Sequence, residues 1–97
     1  MAIGLIARFS IKADKKSEFE GIFAELEAKV KANESGCNFY SLHQSREDDS
    51  KYVVLEQYVD QAALDAHGKS DYFKSLGAKM GGCMAGRPEI EYLDTTS

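Results

Sequence analysis

The residues best suited to chemistry lie close together in the chain. Glu56 and Tyr58 end a run of strand formers, "YVVLEQYV". His67 follows in an alanine- and leucine-rich helical stretch, and Tyr72 and Phe73 open the next helix. Histidine exchanges a proton near neutral pH, a carboxylate accepts or orients one, and a phenol donates a hydrogen bond. With an aromatic wall around them, these are the parts of an acid/base pocket. His67 stands one helical turn from Ala63 and Leu64, on the side expected to face a sheet, and Glu56 and Tyr58 alternate onto one strand face. Each has a plainer reading as well, His67 as a hydrogen-bonded half-buried residue and Glu56 as a charge paired across a dimer.

Other motifs do not hold. "HGKS" at positions 67–70 has the tail of a phosphate-binding loop, but the glycine required five positions before Gly68 is Ala63. Gly77, Gly81, Gly82 and Gly86 lack the strand-to-helix setting of a dinucleotide site. His43 and His67 show no ligand spacing with a carboxylate, so no metal is expected. Cys37 and Cys83 stand far apart without a CxxC pair and are expected to be reduced, buried thiols.

The elements that must position these residues follow from periodicity. Residues 2–12 alternate, with Ile3, Leu5, Ala7, Phe9 and Ile11 on one side, which predicts a strand. A helix starting at Asp14 or Ser17, with Ser17 and Glu20 as a capping box, carries the stripe Phe19, Ile22, Phe23, Leu26 and Val30 and ends near Gly36. "CNFYSLHQS" and "YVVLEQYV", joined by a short polar turn, predict an antiparallel hairpin. Asp60 should cap a short helix running to Ala66 or His67 and broken at Gly68; Ser70 should cap a second. "GGCMAG" reads as a loose end to the helices, and "RPEIEYLD" as a last strand. Strand, helix, strand, strand, helix pair, strand is the split βαβ order: an α+β, ferredoxin-like unit with helices on one face of a four-stranded antiparallel sheet. The third strand is apolar on both faces, Tyr52, Val54 and Tyr58 against Val53, Leu55 and Val59, so a homodimer through the bare sheet face is expected.

Composition agrees with one domain over residues 1–97. The 97 residues are 43% hydrophobic and 29% charged, with a net charge of −4 that argues against nucleic acid as a partner. "MAIGLIARFS" lacks the pattern of a signal peptide and no run approaches membrane-spanning length, so a cytoplasmic protein without membrane contact is expected.

"ESGCNFYSLHQS", "YVVLEQYVDQAALDAHGKSDYF" and "GRPEIEYL" together resemble the antibiotic biosynthesis monooxygenase family over nearly the whole chain. The most specific matches are Gly36-Cys37 with Tyr40, Glu56 with Tyr58, and Ala66-His67 with Ser70 and Tyr72-Phe73. The resemblance implies a ferredoxin-like unit paired into a dimeric α+β barrel. The haem-degrading branch is a poor match, since its asparagine, tryptophan and ligating histidine positions hold Ala7, His67 and Gly77. The quinol-oxygenase-like members, many with a histidine at the His67 position, imply oxidation of a small quinol or phenol by dioxygen without a cofactor. His67 is then the expected base, pointing into a pocket between helices and sheet. Tyr72 would bond the substrate oxygen and Glu56 would orient a donor or stabilise protonated His67; Phe9, Phe23, Tyr58 and Phe73 would line the substrate site. Two alternatives stand beside it: an isomerase of a phosphorylated dicarbonyl signal, whose cationic clamp the spacing of Arg8, Arg46, Arg87 and Lys69 does not assemble, and a non-catalytic small-molecule-binding dimer.

Overall fold

The computed structural model describes residues 1–96; Ser97, the end of the expected domain, lies outside the described residues. The chain runs β1 (Ile3–Ser10), α1 (Lys16–Asn33), β2 (Cys37–Gln44), β3 (Lys51–Tyr58), α2 (Gln61–Lys69), α3 (Asp71–Gly81) and β4 (Glu89–Asp94). The sheet order is β2-β3-β1-β4 with every neighbour antiparallel. This is the ferredoxin-like α+β fold expected from the element order.

Register decides which side chains meet. Leu5, Ala7 and Phe9 of β1 pair with Glu56, Val54 and Tyr52 of β3, and Tyr40 of β2 pairs with Glu56 from the other side. Directly paired residues point to the same face, so these side chains and Tyr58 form one helix-facing layer, all of it buried. The stripe of α1 covers it with Phe19, Phe23, Leu26 and Val30, and α3 adds Leu76 and Met80. Aromatic contacts tie the layers, Phe9 to Phe19 at 5.6 Å and Phe19 to Tyr52 at 5.2 Å between ring centroids. A bulge between Cys37 and Phe39 adds one residue to β2. Past it, Phe39 pairs with outward-facing Gln57 and Tyr40 turns inward.

Several local expectations need correction. The capping box of Ser17 and Glu20 does not form: a turn closed by the Lys15 amide on the Lys12 carbonyl puts the chain into helix at Lys16, and Ser17 is already inside it. Glu20 instead accepts a hydrogen bond from the Tyr52 hydroxyl. Gly68 does not break α2, which runs on to Lys69; the break is Ser70, in extended backbone. Ser70 precedes α3 but does not cap it, because its Oγ donates to the His67 carbonyl at 2.7 Å. Asp60 does cap α2, accepting from the Ala63 amide at 2.9 Å. The "GGCMAG" segment is pinned rather than loose. Cys83 is fully buried, its carbonyl accepts from Lys12, and the Ala85 amide donates to Ser10.

The opposite sheet face remains bare in the single chain. Phe39, Leu55 and Leu93 are 47%, 37% and 42% exposed there, beside half-buried Ile6 and Val53.

Candidate active site

A cavity of about 180 Å³ lies between the helix-facing side of the sheet and α3. Ala7, Phe9, Tyr40, Val54 and Glu56 supply its sheet side; Phe23 comes from α1, Phe73, Gly77 and Met80 from α3, and Met84, Pro88 and Ile90 close the rest. The lining residues are apolar or aromatic except Glu56, and Tyr40 is the one phenol among them.

Glu56 reaches this position because β3 alternates it onto the inner face, not the outer one, so it is not a charge paired across a sheet-to-sheet contact. Only 8% of it is exposed, and the Tyr58 hydroxyl donates to its Oε1 at 2.8 Å. Burial pushes its pKa up from 4.5 to about 7, the Tyr58 hydrogen bond opposes this, and the nearby Glu34 charge adds to it. A carboxylate poised at neutrality against an apolar cavity is suited to proton transfer. The phenols of Tyr40 and Tyr58 are pushed above their ordinary pKa, first by burial and then by the Glu56 charge, so both stay protonated.

His67 is 4% exposed and does not line this cavity. It sits one layer behind the wall, its ring 5.2 Å from Tyr40, 5.3 Å from Tyr58 and 4.5 Å from Phe73. Its Nδ1 faces both carboxylate oxygens of Glu34 at 3.0 and 3.1 Å. Tyr72 donates its hydroxyl to the same carboxylate, and its pKa is pushed up to about 12 by burial and by that bond. Glu34 thus ties the end of α1 to α2 and α3. With Glu34 ionised, the proton of a neutral His67 sits on Nδ1.

Glu34 escapes the sequence reading because an acid just after a helix, ahead of Gly36, looks like a solvated terminus. The signal that could have found it is its place at the head of "ESGCNFYSLHQS", one of the stretches that carry the family resemblance. Its burial depends on Gly36, where a β-carbon would lie 2.7 Å from that of Ala63. Only glycine lets α2 settle so closely on the start of β2.

The structure therefore gathers Glu56, Phe9, Phe23 and Phe73 around one cavity and sets Tyr58, His67 and Tyr72 behind them. No group of three or more histidine, cysteine, aspartate or glutamate side chains suited to a metal ion occurs among the described residues, and no described helix is long and apolar enough to cross a membrane.

The profile of the antibiotic biosynthesis monooxygenases matches residues 2–79. The chain belongs to this family. A crystal structure from Caulobacter crescentus, named for the same family, shares 49% identity and superposes with a TM-score of 0.96 over 99% of this chain and 91% of that one. The N63A mutant of SnoaB, a cofactor-independent oxygenase from Streptomyces nogalater, shares the fold at 20% identity, with a TM-score of 0.84 over 99% and 94% of the two chains. An uncharacterized protein of Synechocystis is 28% identical over 89 residues, covering 92% of this chain; the chain spans 60% of that relative's length. Family membership supports a monooxygenase in general terms.

Proposed function

We propose that the protein is a cofactor-independent monooxygenase that oxidises a small quinol or phenol with dioxygen. The observation that carries this reading is Glu56, a buried carboxyl with a pKa near 7 facing a cavity walled by Phe9, Phe23, Phe73 and Tyr40. In this reading Glu56 takes the base role that the sequence suggested for His67. The substrate ring packs on the phenylalanines, and the carboxylate removes the proton of its hydroxyl. The resulting anion is electron-rich enough to reduce dioxygen by one electron, and the two radicals then combine to form a carbon–oxygen bond. The peroxide recovers a proton from Glu56 and loses water. One oxygen atom stays in the product, the other leaves as water, and all four electrons come from the substrate. The Tyr58 hydroxyl stabilises the ionised carboxylate. His67 and Tyr72, held by Glu34, keep Phe73 and Tyr40 in place; their readout is positioning, not contact.

The reading extends to a cytoplasmic homodimer through the bare sheet face, where a second copy would cover Phe39, Leu55 and Leu93. The deciding experiment is oxygen uptake by the metal-stripped protein with a panel of hydroquinones and anthrones, wild type beside Glu56→Gln and His67→Ala. Uptake above autoxidation that is lost in Glu56→Gln supports the assignment. No uptake with any substrate removes it, and leaves the non-catalytic binding dimer as the better account.

A further inference from the structure

Gly77 lies mid-way along α3, between the buried Leu76 and Met80. Glycine is the worst residue for a helix interior apart from proline, because its backbone has the most freedom to lose. A close neighbour would explain such a glycine, as Ala63 explains Gly36. Gly77 has none: a β-carbon there would meet no atom within 4 Å. Gly21 and Gly68 are as open, but both face solvent, whereas Gly77 is half-buried and lines the cavity with Glu56 and Phe73. The room left by its missing side chain is therefore cavity room. That cavity is about 180 Å³. An apolar cavity of roughly 150 Å³ holds one benzene ring, so there is space for one substituted ring or a fused pair, not for a tetracycle.

We infer that Gly77 is a specificity-determining residue, and that the bare α3 backbone at this point is what admits the second ring of a two-ring phenol or quinol. The hydroxyl of such a substrate reaches Glu56, and the far ring lies over Gly77. This rests on the reading of the cavity as the substrate site.

The test is calorimetric titration of phenol and of 1-naphthol into wild type, Gly77→Ala and Gly77→Leu, with a thermal melt of each. Neither probe needs turnover. Both variants should melt at or above wild type, Gly77→Ala by about 4 °C, since alanine favours the helix. In Gly77→Leu the affinity for 1-naphthol should fall by about tenfold or more, as expected when apolar volume intrudes on an apolar pocket. Phenol should bind within about threefold of wild type. Should Gly77→Leu fail to fold, Gly77→Ala carries the comparison through a smaller loss in the same direction. A folded Gly77→Leu that binds 1-naphthol as tightly as wild type overturns the inference, as does equal loss of both probes or a wild type that binds neither. Selective loss of 1-naphthol in a protein that consumes no oxygen upholds the role of Gly77 and removes the monooxygenase.

Discussion

Glu56 concentrates the pH dependence of the molecule. The folded protein keeps its proton up to about pH 7, whereas an unfolded glutamate releases it near 4.5. Between those values the folded state binds more protons, so stability falls as the pH rises through the window and levels off above it. Glu56→Gln should abolish that slope and raise stability at pH 8 by roughly 2–4 kcal/mol, read from urea unfolding at pH 5 and 8. The same substitution should lower oxygen-dependent turnover by about 100- to 10,000-fold, while wild-type kcat/KM rises with pH to a plateau above about 7. A wild-type profile flat from pH 5 to 8 would take Glu56 out of the base role. His67 behaves differently, because its partner carboxylate is only 10% exposed. His67→Ala leaves the Glu34 carboxylate with Tyr72 alone and should destabilise the fold by about 3 kcal/mol. Adding Glu34→Gln should recover part of this loss, since the unpaired charge goes; strictly additive losses in the cycle would mean the two side chains are not coupled.

At the scale of elements, the position of α2 controls whether Glu34, His67 and Tyr72 meet at all. Gly36 lets Ala63 approach the start of β2, and the Val59 amide donates to the Gly36 carbonyl at 2.8 Å. Gly36→Ala should therefore cost about 1–3 kcal/mol through overpacking, and Ala63→Gly in the same chain should relieve part of it, both measured by thermal unfolding. If the double variant is no more stable than Gly36→Ala, the close approach is not the cause. Helix existence was legible from periodicity, because Phe19, Phe23, Leu26 and Val30 form a stripe in any fold that buries them. Helix ends were not. The Lys12 amide bonds the Cys83 carbonyl, which only the folded chain brings near, and the Ser70 hydroxyl turns back onto the His67 carbonyl three residues earlier; these outweigh the capping patterns of Ser17 and Ser70.

At the scale of the whole molecule, the open sheet face sets the expected assembly. Leu55 sits near the middle of the bare apolar surface with Phe39 and Leu93 around it. Leu55→Arg should shift a dimer to monomer, since an arginine facing its own copy in an apolar interface would be desolvated without a partner. Sedimentation at micromolar concentration checks this, and a monomeric wild type would remove the sheet-face dimer outright.

The order of elements, the apolar faces and the sharing of one strand face by Glu56 and Tyr58 were determined by sequence, because strand and helix periods dictate which side chains share a face. The tertiary structure decided the division of labour among them. Whether a side chain touches the cavity or stands behind its wall depends on how α2 and α3 dock on the sheet. That docking follows from long-range contacts such as Gly36 to Ala63 and Glu34 to His67, which no local period encodes. For this reason Glu56, read first as a helper, faces the cavity with its proton near neutrality, and His67, read first as the base, is held one layer away by an acid that looked like the end of a helix.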